Sequence, residues 1–328
     1  MKIRSIKVWV STCAALALFL WLQPDVAYAN GGTPLMWAPV YHLLIGNLVI
    51  GLGEGLLLGL LYNVRKSRAI LFMMGANYVS FILGAISLGT LSELVKGCFR
   101  QETFLYHVPS FLWILCGLTF LMTVVFEWPL CWALLRNRPR KWRDSILASF
   151  AAQSASYGVL VYFYLGASAI SLYTEVDVTP DLVPSLPPHS LVHFTSLDDG
   201  RLYRIALNGS AREKVEELTS REEYSKHLEE QNDFGVLDLR PDQHQDWKVS
   251  KLNWAYDGIS AQNKTTGSLL RVALDTPYLR WPPRFATVLP GDLVVYQLGD
   301  QIVVLDLNAR KLGLLALGRG PVAISNRD

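Results

Sequence analysis

Glu54 and Glu127 are the residues that could do the most chemistry in this chain, because each stands inside an apolar run with no Lys or Arg in it. The first lies in "GNLVIGLGEGLLLGLLYNVRKSR", residues 46 to 68, and the second in "FLMTVVFEWPLCWALL", residues 120 to 135. An isolated charge in hydrocarbon is costly, so two such carboxylates call for a proton, a shared proton or a bound cation. Asn77 and Gln153 each place an amide at about the same depth in two neighbouring apolar runs, and Asn47 precedes Glu54 on its own helix. These five residues form the expected intramembrane polar layer. Pro129 removes an amide donor two residues after Glu127, which would free the carbonyl of Val125 near that level. Two uses of such a layer stand side by side. It is a proton or cation site, with His42 as a further acceptor toward the other end of the pathway, or it is polar glue that fixes helix register at about 0.6 kcal/mol per contact.

The elements that position this layer are membrane-spanning helices. Runs from about Met36 to Tyr62, Ala69 to Leu91, Phe111 to Leu135 and Ser145 to Leu172 are each long enough to cross a bilayer. On the first of them Asn47, Gly51, Gly55 and Gly59 recur every four residues, a stripe almost without side-chain bulk along which another helix can approach closely. At about 100° per residue Glu54 sits beside that stripe and so faces protein. The stripe could serve a homo-oligomer as readily as the bundle of its own chain.

The N-terminus has the form of an export signal. Lys2, Arg4 and Lys7 precede an apolar stretch that ends near Ala27-Tyr28-Ala29, so residues 1–29 are expected to be removed. The loop with Arg65, Lys66 and Arg68 and the loop with Arg136, Arg138, Arg140, Lys141 and Arg143 are then cytoplasmic, and everything after about Tyr173 is outside. Localisation in a cell's inner (plasma) membrane is the consequence, with a transmembrane domain over residues 30–173.

Residues 174–190 are proline-rich and read as a stiff spacer, and residues 191–328 read as an extracytoplasmic β domain. Four stretches in it resemble one another: Gly200 to Asn208, Asp233 to Arg240, Gly267 to Asp275 and Asp300 to Asn308. Each has the look of the second strand of a hairpin, which suggests a small or incomplete propeller-like fold, with a β-sandwich as the alternative. Between the first two, Arg212 to Gln231 carries charges at helical spacing and predicts a solvated helix.

With 51% hydrophobic and 18% charged residues and a net charge of +2, the chain has no basic stripe of the kind that tracks nucleic acid. Of four cysteines, Cys13 falls in the signal, Cys116 and Cys131 in the third span and Cys98 outside it, which yields no disulfide framework. His189 and His193 flank an extended entry into a strand, where that spacing does not converge two imidazoles on a metal. Nothing else supplies a nucleophile, a phosphate loop or a cofactor motif, so neither enzyme activity nor a cofactor is expected. Membrane lipids and another envelope protein or extracytoplasmic ligand are the expected partners. The leading expectation is a binding or assembly protein that displays its β domain; the alternative is a proton- or cation-coupled transporter or channel.

Overall fold

The computed structural model describes residues 34–188, 190–216, 222, 224–226, 228–229, 236–240, 246–252 and 258–325. The expected signal segment and His189 lie outside them.

Among the described residues four helices are long and apolar enough to cross a membrane: Trp37–Leu61, Lys66–Lys96, Gln101–Leu135 and Lys141–Ala167. The first is composite. Helix α1 (Pro34–Tyr41) passes through a π turn at His42–Gly46 into α2 (Asn47–Leu61), and the amide of Asn47 bonds to the carbonyl of His42, five residues back. An insertion of this kind rotates the helix beyond it, and here the π turn sets the azimuth of Asn47 and of the glycine stripe behind it. Then come α3 (Lys66–Lys96), α4 (Phe104–Leu135) and α5 (Lys141–Ala167). Consecutive helices pack against each other, and α5 returns to α2 through a slighter contact, which closes a ring.

The third long helix starts earlier than its hydrophobic run predicts. At 32 residues α4 is far longer than the roughly 20 residues needed to span hydrocarbon. Its first turns leave the bundle: Phe104, Leu105, Val108, Phe111 and Leu115 form a helical stripe buried in the core of the β domain.

That domain is mostly β and is not closed into a barrel. Its strands are β1 (Asp177–Val178), β2 (Ser190–Ser196), β3 (Leu202–Ala206), β4 (Glu213–Lys214), β5 (Val236–Asp238), β6 (Trp247–Leu252), β7 (Gly258–Asn263), β8 (Leu269–Ala273), β9 (Pro283–Leu289), β10 (Leu293–Leu298), β11 (Gln301–Asp306) and β12 (Lys311–Ser325). Nine of them make one sheet in the order β4-β3-β2-β12-β11-β10-β9-β5, with β1 added in parallel to β12; β6, β7 and β8 make a second sheet. Strand β12 links the halves of the larger sheet, pairing with β11 over its first residues and with β2 over its last.

The hairpin β10–β11 is the centre, and period-two alternation makes it so. Leu293, Val295, Ile302 and Val304 pack toward Val192, Phe194 and Ile205, whereas Val294, Tyr296, Val303 and Leu305 pack toward Ile259, Leu270 and the α4 stripe. Its two-residue turn opens on Gly299, whose φ of +59° suits glycine and whose missing Cβ would stand 3.0 Å from Trp281 Nε1.

Three of the four similar stretches supply the second strand of a hairpin, as β3, β8 and β11. The stretch at Asp233 to Arg240 differs: its described part, β5, lies parallel to β9. Strands β3, β5 and β11 belong to the nine-stranded sheet and β8 to the three-stranded one, so the described strands make one large and one small sheet and do not show the expected propeller-like arrangement of similar blades. Similar hairpins can pair edge to edge as easily as they can stack. The proline-rich segment is also no free spacer, for β1 lies within it and Leu182, Val183 and Leu186 are buried against β2 and β11. Of the charged stretch expected as a helix, Glu213 and Lys214 are strand, while residues 222, 224–226 and 228–229 are helical, and Tyr224 donates a 2.8 Å bond to the carbonyl of Gly320 in β12.

Candidate functional site

The glycine stripe brings α2 and α3 together. A Cβ at Gly51 would fall 2.6 Å from Met74 Cα, one at Gly55 2.3 Å from Ile70 Cα and one at Gly59 3.1 Å from Lys66 Cγ. Contact this close turns Glu54 toward α3 rather than toward lipid.

There Glu54 Oε2 accepts a 2.5 Å hydrogen bond from Asn77 Nδ2, and Asn77 also donates 2.9 Å to the carbonyl of Met73. Glu127 Oε1 accepts 2.8 Å from Ser80 Oγ, and its Oε2 accepts 2.5 Å from Gln153 Nε2. Gln153 Nε2 reaches Glu54 Oε1 as well, at 3.4 Å, so a single amide joins the two carboxyl groups. Glu54, Asn77, Glu127 and Gln153 are therefore one hydrogen-bonded layer contributed by four helices, with Glu127 0% and Glu54 3% exposed. None of these partners is a cation.

Asn47 does not join that layer. It lies about two helical turns from Glu54 in the direction of the β domain, is buried, and its Nδ2 finds no acceptor. Near Pro129, a side-chain bond to backbone runs from Ser149 to the carbonyl of Val124, at 2.8 Å, and Val125 projects outward. His42 Nδ1 is 3.0 Å from Oη of Tyr164 on α5.

The layer divides the bundle. Toward the basic loops, Leu58, Ala69, Met73, Ala76, Cys131, Ala148 and Ala152 fill the interior. Toward the β domain the helices leave a partly open cavity of about 770 Å³ between them. Asn47, Asn77, Ser80 and Gln153 line its inner end; Thr276, Tyr278 and Arg280, on the segment between β8 and β9, line its outer end. Hydroxyls run along one wall: Tyr278 Oη is 2.9 Å from Thr119 Oγ1, and Thr123 Oγ1 is 3.1 Å from Tyr157 Oη. The β domain thus reaches into the bundle and shapes the cavity that leads to Asn77, Ser80 and Gln153, the partners of the carboxylates.

Ser80 was recoverable from sequence, since it stands one turn beyond Asn77 on the same face of α3. Tyr278 carried no such signal; it lies far along the chain in a turn. Gly51, Gly55 and Gly59 face α3 of the same chain.

The chain matches no family model, no curated protein and no solved structure.

Proposed function

We propose that this is a multi-pass protein of the inner (plasma) membrane that exchanges a proton at the Glu54–Glu127 pair, as a proton-coupled transporter does. One observation carries the reading: two buried carboxyl groups bridged by one amide, without a cationic partner, lie directly behind Asn77, Ser80 and Gln153, which bond to them and line the inner end of a cavity that extends toward the β domain. A layer of polar glue needs no cavity above it. With the basic loops on the cytoplasmic side, the β domain and the outer end of the cavity stand outside the cytoplasm, and protons reach the pair from there. The amide and hydroxyl donors occupy the carboxyl oxygens, an arrangement that suits hydrogen-bonded proton sharing better than a cation, which would need those oxygens as ligands.

The test uses the full-length protein reconstituted in liposomes that enclose a pH-sensitive dye. An imposed pH gradient should collapse faster than in empty liposomes, and Glu54→Gln and Glu127→Gln should each abolish the difference while leaving the melting temperature and elution volume close to wild type. Infrared spectra should show a neutral carboxyl band that each substitution removes. Wild-type rates and spectra in both variants would refute the reading.

A binding or assembly role has one feature in its favour: among the described residues the nine-stranded sheet ends on β4 and β5, short strands whose outer edges are open to strand addition. Stoichiometric foreign subunits in protein gently purified from its own membranes would favour that role; a monomer or homo-oligomer would favour proton exchange.

A further inference from the structure

The cavity above the carboxylate layer is a binding site in its own right, apart from the proton pair. We propose that it holds a membrane-soluble molecule with an apolar body and one uncharged carbonyl oxygen, and that Asn47 donates to that oxygen. At about 770 Å³ the cavity falls within the roughly 300–1,000 Å³ of small-molecule sites. Phe81, Leu88, Leu112, Met122, Phe126 and Leu160 make its walls apolar. Asn47 is the second, independent observation: it is 1% exposed, lines the inner end, and its Nδ2 is buried without an acceptor, so a turn of the side-chain amide is what brings the donor to a ligand. A donor held in apolar surroundings without an acceptor is unfavourable, and inside a membrane span bulk water is not there to serve it.

The neighbouring amides define the class further. Asn77 and Gln153 spend their N–H groups on Glu54 and Glu127, so Asn47 is the donor left for a ligand, and it fits one acceptor oxygen. An anionic group at this end would approach two carboxyls about two turns away, which disfavours a free fatty acid or a phosphate. An ester or a ketone fits. Entry is from the lipid: Trp113 on α4 and Leu165 on α5 both line the cavity and are 63% and 47% exposed on the outside of the bundle. Lipid esters and quinones share this chemistry.

The experiment photolabels full-length protein in detergent micelles with two probes, a diazirine-bearing fatty acid methyl ester and a diazirine-bearing short-chain quinone. At least one should label peptides containing Phe81 or Met122, competed by its unlabelled parent; which one does so identifies the source of the carbonyl. Asn47→Leu should weaken labelling about fivefold, as loss of one hydrogen bond implies. Gly84→Phe should also weaken it, because Gly84 lines the cavity and a Cβ there meets no atom within 4 Å, so the ring enters free space. Should either variant fail to fold, wild-type protein supplies the readout. Cys116 lines the cavity and exposed Cys98 does not, so the competing parent should slow maleimide reaction at Cys116 and leave Cys98 unchanged. Labelling confined to other peptides, labelling equal in folded variants, or an unprotected Cys116 would overturn the proposal. Failure of proton exchange with persistent labelling would strike the proton site alone.

Discussion

Gly55→Ala and Gly53→Ala, two residues apart on α2, should change stability in opposite directions. A Cβ at Gly55 would stand 2.3 Å from Ile70 Cα and 2.6 Å from Ile70 N, and these are backbone atoms that no rotamer change can remove. Carbon atoms rest at about 3.5–4.0 Å, so α2 and α3 must part by roughly 1 Å. Overpacking of this kind costs about 1–3 kcal/mol, toward the upper end where the clash is with backbone, and the better helix propensity of alanine offsets up to about 1 kcal/mol, which leaves a net loss of up to about 2 kcal/mol. At Gly53 the added Cβ meets nothing within 4 Å, so only the propensity gain remains, at up to about 1 kcal/mol. Thermal unfolding in detergent, followed by tryptophan fluorescence, reads both. The parting of the helices should also lengthen the Glu54–Asn77 contact, so Gly55→Ala should slow proton exchange where Gly53→Ala does not. A Gly55→Ala variant as stable as wild type, or a matching loss at Gly53, would refute the close approach of α2 to α3.

Phe111→Ala should cost about 3–5 kcal/mol, since the ring is fully buried where α4 enters the β domain; a melting temperature equal to wild type would show that the two parts are not packed as one. By the same reasoning, a fragment starting near residue 175 should bind a hydrophobic dye and aggregate, because it lacks Phe104, Leu105, Val108 and Phe111. Arg240→Ala should cost about 3–5 kcal/mol by stranding Asp292, whose Oδ1 it meets at 2.5 Å with both side chains buried. Asp238 gives this cluster a pH dependence. Burial would raise its pKa, but the hydrogen bonds and charge of Arg240 outweigh burial and hold it below the ordinary value of 3.8. A lowered folded-state pKa contributes stability that is complete above the unfolded value and is lost as pH falls through the folded one. Denaturant midpoints should therefore drop below about pH 4 in wild type and drop less in Arg240→Ala; equal acid slopes would refute the assignment.

Hydropathy alone located the four spans, because hydrocarbon demands a long apolar run and four helices among the described residues meet that demand. Depth along those runs also brought Glu54, Asn77, Glu127 and Gln153 to one level, since a helix converts residue number into height at a fixed rise. The glycine period placed a close helix contact along α2, and the alternation of Leu293 to Leu298 and Gln301 to Asp306 described a hairpin. Each of these is a local, periodic constraint that a single segment expresses by itself.

What the tertiary structure decided is which apolar surface meets which. Phe104 to Leu115 would suit lipid as well as protein, and only the β domain packed over it turns that stripe into a core. Leu182, Val183 and Leu186 looked like a spacer because prolines break their periodicity, yet the sheet beneath them takes them in. The division of the hairpins between a nine-stranded and a three-stranded sheet was illegible because a hairpin carries no record of its next neighbour. Asn47 shared the sequence features of Asn77, and only the partners around it left its amide without an acceptor. The cavity lies furthest beyond sequence, since it is space between four helices held apart by their crossings and by the segment around Tyr278, and no residue encodes it alone.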